Sequence, residues 1–333
     1  MNNIALNFGF AGRFDLVARK VVTGEDGTPL LEDGSNVLTG ESRNLASFEN
    51  LILDSGLNRL GTGSVIDGAC VGTGTTAPAD SQTSLASLLR VTSTQQSRVE
   101  LAGSTTAPYY AECRIVYRFA AGTAAGNLSE VGLGWDVNTG SNTMGGLWCR
   151  ALIKDSGGNP TTITVLADEV LDIVYTLQLH PPTSDATGTF NLSGEAYQYT
   201  LRPAYVNNRT FYDYHWRASL ILGRIDTFYG VVARTGTIES VTSGPSGTGA
   251  SGDITMIKQP YVNGSKQCVF DITAGLNAAN LAGGIRSMQF SLYGNAWQAE
   301  FSRVSDGAAI PKNNTNVLTI PFWVSWDRAN VIT

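Results

Sequence analysis

Apolar and polar residues alternate with a period of two along much of this chain, the mark of strands with one buried face. The clearest run is Cys113, Ile115, Tyr117 and Phe119, interleaved with Arg114, Val116 and Arg118. Leu171, Ile173, Tyr175, Leu177 and Leu179 repeat the pattern. Between these runs lie two apolar stretches, Val131–Trp135 and Leu147–Ile153. Turns rich in Gly, Asn and Ser separate them, at Gly122–Asn127, Asp136–Gly146 and Asp155–Pro160. Closely spaced strands with turn signals between them predict an all-β sandwich or barrel.

The same arrangement recurs further along. Cys268-Val269-Phe270-Asp271-Ile272-Thr273 echoes the run at Cys113, and Ala274–Leu281 echoes Ala121–Leu128. Trp297, Phe301 and Asp306 stand against Trp148, Leu152 and Asp155. Leu318, Ile320, Phe322, Val324 and Trp326 match Leu171–Leu179 in phase. Agreement in phase carries weight, because a slip of one residue turns the apolar face outward. His180-Pro181-Pro182-Thr183-Ser184-Asp185 is the expected boundary, since proline ends a strand and small polar residues follow. The expected fold is therefore mainly β: two tandem antiparallel β-sandwich (jelly-roll/Ig-like) domains, 1–182 and 183–333, with one N-terminal helix.

Residues 4–40 read as a strand, a hairpin around Gly24–Pro29 and a second strand, with too few apolar positions for a core of their own. The helix is expected over 42–60, where Phe48, Leu51, Ile52, Leu57 and Leu60 recur at helical spacing, Ser42 or Ser47 stands as a cap and Gly61 as a stop. Gly56 weakens it by about 1 kcal/mol relative to alanine. A short helix, Gln82–Leu89, is predicted behind Asp80 as N-cap, and strands at Val65–Gly72, Thr92–Val99 and Tyr109–Phe119. Thr242–Gly252 is low in complexity and predicts a flexible surface loop.

Charged residues make up 15% of the 333 positions, well below the usual ~25%, so hydroxyls and amides must solvate much of the surface. A formal net charge of −6 argues against a nucleic-acid or anionic-membrane partner. No apolar run reaches the ~20 residues of a membrane span, so no membrane insertion is expected. Met1–Ile4 lacks the charged-then-apolar pattern of a signal peptide. Cys70, Cys113, Cys149 and Cys268 are not at metal-ligand spacing. They are expected as buried free thiols, which suits assembly in a reducing cytoplasm.

No catalytic constellation stands out, and no enzyme activity or cofactor is expected. The chain has two histidines, His180 beside a proline and His215 among aromatics. Asp168, Glu169 and Asp172 lack calcium-loop spacing. Gly72–Pro78 is glycine-rich but lacks the lysine of a phosphate-binding loop. The most suggestive stretch is Tyr197–Trp216. It carries Tyr197, Tyr199, Tyr205, Arg209, Phe211, Tyr212, Tyr214 and Trp216, the residue types that dominate interface hot spots and stack on sugars. These residues are the candidate receptor or subunit contact; the competing reading places them as core and cross-strand pairs of the second sandwich.

Four motifs resemble a family of tail-fibre and tail-associated virion proteins of tailed bacteriophages. They are Phe48–Leu57 (FENLILDSGL), Val71–Pro78 (VGTGTTAP), Gly126–Gly132 (GNLSEVG), and Arg150–Asp155 (RALIKD) followed by Gly158–Val165 (GNPTTITV). The resemblance covers roughly Ala5–Pro181 and brings no catalytic residues with it. It implies a structural virion protein of the tail tip, baseplate or tail fibre, assembled in the bacterial cytoplasm and acting in tail assembly and host attachment. The partners it implies are copies of itself (a trimer first, a sixfold ring second), other tail proteins, and a host-surface receptor. A receptor- or carbohydrate-binding module of the tail and a capsid decoration or head-fibre protein are the alternatives.

Overall fold

The computed structural model describes residues 4–26, 28, 30–32, 35–209, 215–221, 228–292 and 294–329. The chain begins with a long strand β1 (Ile4–Val21), a two-residue ribbon β2 (Leu31–Glu32) and β3 (Ser35–Asn36), then β4 (Leu38–Glu49), β5 (Leu51–Ile52) and helix α1 (Asp54–Leu60). Next come β6 (Gly68–Gly72), β7 (Leu88–Thr92), β8 (Gln95–Ser104), β9 (Tyr110–Phe119), β10 (Gly126–Leu128), β11 (Glu130–Trp135), β12 (Gly146–Leu152), β13 (Ile163–Val165) and β14 (Glu169–His180). The remainder is β15 (Ala186–Leu192), β16 (Glu195–Ala204), a single turn α2 (Ala218–Ile221), β17 (Phe228–Arg234) and β18 (Gly249–Ala250). It ends with β19 (Ile254–Lys258), β20 (Gln267–Ala274), β21 (Ser287–Leu292), β22 (Asn295–Arg303) and β23 (Leu318–Arg328). The fold is mainly β, as the alternation predicts. Of the Gly24–Pro29 turn, Gly27 and Pro29 lie outside the described residues.

The chain forms two compact units that are not consecutive in sequence. An N-terminal unit holds residues 11–101 and 113–178; a C-terminal unit holds 4–10, 102–112 and 179–329. One crossing, between Gln178 and Leu179, falls just before the expected boundary at 182/183. Each unit takes one half of β1, whose even-numbered side chains from Ile4 to Ala18 face inward throughout.

Taken separately, the two units share one strand order. In the N-terminal unit one sheet contains β8-β9-β14-β1, with β4 beside β1, and the other runs β5-β12-β11-β6-β7. In the C-terminal unit the corresponding runs are β19-β20-β23-β1 and β16-β22-β21-β17-β18, with β15 added at the β16 edge. The helical elements match too: α1 lies between β5 and β6, and α2 between β16 and β17. The correspondence pairs β9 with β20, β12 with β22 and β14 with β23, the same segments that match in sequence. Within each unit the two sheets touch through core side chains. Trp148 Nε1 on β12 donates to the Tyr175 hydroxyl on β14 at 3.0 Å. The Phe290 and Phe322 rings, on β21 and β23, lie 4.8 Å apart.

Four expectations are corrected. The sheets are not wholly antiparallel: Ile4–Phe10 pairs in parallel with Phe322–Arg328. Strands that meet from opposite ends of a chain need no hairpin, so nothing forces antiparallel pairing. The helix over 42–60 is in fact β4, β5 and the seven residues of α1. Phe14 faces Phe48 across the β1–β4 ladder, which accounts for Phe48 as a strand residue. Neither Ser42 nor Ser47 caps α1; its N-cap is Leu53, with no side-chain hydrogen bond. Gly56 is a packing requirement, since a Cβ there would lie 2.6 Å from the Trp148 Cα and carbonyl oxygen. The segment Gln82–Leu89 is not helical: the chain turns at Asp80–Ser81 and enters β7 at Leu88. Gln82 turns its side chain back on its own backbone, accepting from Ala79 N at 2.8 Å, and local bonds of this kind compete with a helix. Thr242–Gly252 is anchored rather than loose, as the next section describes.

Candidate functional site

The strand alternation that selects Tyr197 and Tyr199 also turns them into the core. Both are buried in the C-terminal unit. Phe190 packs against each, at 5.8 Å from Tyr197 and 6.4 Å from Tyr199, and against Phe301 at 5.8 Å. Burial pushes the Tyr197 phenol above its ordinary value. Trp216 is 1% exposed. It lies 5.3 Å from Trp297 and donates through Nε1 to Ala204 O at 2.9 Å. Arg209 is spent on backbone carbonyls: it donates to Ala102 and Tyr110 at 2.9 and 2.7 Å, and to Val206 at 2.6 Å. Tyr205 takes a positive φ of 51° and is partly buried. Phe211, Tyr212 and Tyr214 lie outside the described residues. Among the described members, then, Tyr197, Tyr199 and Trp216 are buried among core side chains.

The glycine-rich stretch Gly72–Pro78 contributes one backbone N–H, that of Gly74, to an anion, but the anion is internal. Glu130 on β11 accepts from Gly74 N at 3.0 Å, Ala86 N at 3.0 Å and Ser87 N at 2.7 Å. Arg150 on β12 donates to Glu130 Oε2 at 2.7 Å, to Gln82 Oε1 at 2.6 Å and to Thr76 O at 3.0 Å. Both side chains of this ion pair are fully buried. Such a pair adds little to net stability but is costly to break; here it fixes the exposed loop between β6 and β7. The corresponding loop of the C-terminal unit, between β17 and β18, is held by a neutral device. Gln298 on β22 is fully buried. Its Nε2 lies within 3.0–3.3 Å of the carbonyls of Pro203, Glu239, Ser240 and Ser243, while its Oε1 accepts from Glu239 N at 2.9 Å. Ser287 Oγ adds a bond to Gly236 O at 2.7 Å.

Asp168, Glu169 and Asp172 are each ion-paired. Glu169 takes a two-point contact from Arg43 at 2.7 and 2.8 Å, and this hydrogen bonding holds its carboxyl below the ordinary range. Asp172 is clamped by Arg118 at 2.6 and 2.7 Å, and Lys20 lies 3.5 Å from Asp168. His180 packs against Tyr110 at 5.6 Å, and burial lowers its pKa; His215 is buried. Among the described residues no cluster of three His, Cys, Asp or Glu is placed to hold a metal. Among the described residues no helix is long and apolar enough to cross a membrane.

All four cysteines are buried and unpaired with one another. Burial raises the thiols of Cys70, Cys149 and Cys268, Cys149 to about 12 and Cys268 to about 11. A thiol held neutral and out of solvent reacts slowly. Ellman's reagent at pH 8 is therefore expected to leave the native protein unmodified and to titrate all four thiols after denaturation. Rapid stoichiometric reaction of the native protein would contradict this burial.

Among the described residues, each unit carries a solvent-facing depression. In the C-terminal unit a cup of about 260 Å³ lies over Gln198, Thr200, Arg202, Glu300 and Ser302. Its main cation is committed, because Arg202 donates to Glu239 O at 3.0 Å and is paired with Asp185. In the N-terminal unit a groove of about 730 Å³ runs between the β1–β4 ladder and the segment from Lys154 to Ile163. Asp15 and Val17 line one wall from the outer face of β1, with Asn44 and Ser47 beside them on β4. Lys154, Asp155, Ser156, Thr161 and Thr162 line the opposite wall. That wall is held in shape: Asp155 Oδ1 accepts from Gly157 N and Asn159 N, each at 2.9 Å. Thr161 N donates to Ile153 O at 2.8 Å, and the Thr162 and Ser129 hydroxyls meet at 2.9 Å. Sequence reading missed the groove because its walls are more than a hundred residues apart and mix small polar residues with short apolar ones, as ordinary surface does.

Comparison of the chain with protein-family models, with curated proteins and with solved structures gave no match.

Proposed function

We propose that this chain is a structural virion protein of a tailed bacteriophage, a component of the tail tip, baseplate or tail fibre that acts in tail assembly and host attachment. In this reading the two units are β-sandwiches of jelly-roll or Ig-like type that arose by duplication and exchanged short segments of chain. The observation that carries it is the shared strand order, with the equivalent loop of each unit clamped by buried polar side chains of its β11–β12 or β21–β22 hairpin. A firmly held loop with a single charged residue, Asp80 in one unit and Glu239 in the other, suits a packing contact, because little order is lost when it docks. Closed rotational symmetry is the usual outcome for such subunits, and three copies of a two-unit chain present six related units to a sixfold tail. The four tail-protein motifs and the low-charge surface support the same reading. Light scattering on the purified chain tests it: a closed homo-oligomer, trimeric first, is the expected result. A protein that stays monomeric as concentration rises would count against self-assembly.

A further inference from the structure

We propose that the groove between the β1–β4 ladder and Lys154–Ile163 is a binding site for a short neutral saccharide. Three observations carry this. The groove is preformed: one wall is a paired β ladder and the other is held by the Asp155, Thr161 and Thr162 bonds. Both walls carry neutral polar groups, Asn44 and Ser47 on one and the hydroxyls of Ser156, Thr161 and Thr162 on the other. Such groups both donate and accept, as a polyhydroxylated ligand requires. Its charges are nearly balanced: Asp15 and Asp155 stand against Lys154, and Arg13 lies 3.6 Å from Asp15. A lining with one more carboxylate than ammonium does not recruit phosphate or other anions. Val17, Leu45 and Ala46 add apolar surface for the C–H faces of a sugar ring.

At about 730 Å³ the groove lies within the ~300–1,000 Å³ of small-ligand sites, which suits a few linked sugars. The 260 Å³ cup of the C-terminal unit is below that range. The inference rests on the groove alone and not on the virion assignment, so either can fail without the other.

The test is saturation-transfer NMR on the full chain with maltotriose, cellotriose and triacetylchitotriose, followed by titration of whichever responds. At least one trisaccharide is expected to bind with a dissociation constant in about the millimolar range or tighter, and inorganic phosphate is expected not to displace it. Ser47→Trp, which fills the groove from the exposed face of β4, is expected to weaken binding by about tenfold or more with an unchanged melting temperature. Asn44→Trp serves as a second blocking variant should Ser47→Trp lower stability. Silence from all three sugars, displacement by phosphate, or full binding by both folded tryptophan variants would overturn the proposal.

Discussion

Replacing Arg150 with alanine is expected to lower stability by about 3–5 kcal/mol, the cost of leaving a buried charge without its partner. Glu130 would remain fully enclosed, still accepting three backbone N–H groups but facing no cation. Thr76 O would lose the guanidinium in the same step, and Gln82 Oε1 would keep only its bond from Ala79 N. In a domain of 150–250 residues this corresponds to a fall in melting temperature of about 6–20 °C. Calorimetry reads the loss. Hydrogen exchange should show it first at Thr73–Ser87, which the pair holds in place. The combination Glu130→Gln with Arg150→Met should recover part of the loss, because an amide oxygen still accepts from the loop and no charge is stranded. A wild-type melting temperature for Arg150→Ala would mean that the pair is not buried as described.

Trp216→Ala is the second large effect, expected at about 3–5 kcal/mol for the loss of a buried tryptophan. The indole fills space against Trp297 and satisfies Ala204 O, so truncation removes packing and orphans a carbonyl together. A surface hot spot behaves in the opposite way, losing partner affinity while keeping its melting temperature. Denaturant unfolding of Trp216→Ala distinguishes the two; unchanged stability would return Trp216 to the surface as a contact residue.

The strands legible in the sequence are those with one face buried and one face polar. Cys113–Phe119 alternates because β9 has a core side and a more exposed side; Leu171–Leu179 alternates because β14 sets apolar side chains on one face and Asp172, Thr176 and Gln178 on the other, although that face is buried too. The recurrence at Cys268–Thr273 and Leu318–Trp326 is legible for the same reason, and it falls on β20 and β23, the strands that occupy the matching places in the other unit. β4 was illegible as a strand. Most of it is exposed, so no alternation marks it, and Phe48, Leu51 and Ile52 fall by chance at helical spacing with Leu57 and Leu60. Gly56 looks like a flaw in a helix until the Trp148 backbone is seen against it.

The clamped loops were hidden for a different reason. Nothing local in Thr242–Gly252 shows that Gln298 reaches Ser243 O from 55 residues away at 3.3 Å, and Glu130 lies equally far along the chain from Gly74. The aromatic stretch misled because tyrosine and tryptophan serve cores and interfaces alike. Its period of two, which singles out Tyr197 and Tyr199, marks the inward face of β16.

The central claim is a structural role in a phage tail, and cryo-electron microscopy of the particle tests it most directly. The account predicts density in the tail into which both units fit, as copies arranged about the tail axis in threefold or sixfold number. Density for this chain on the capsid, or its absence from purified particles, would contradict the account.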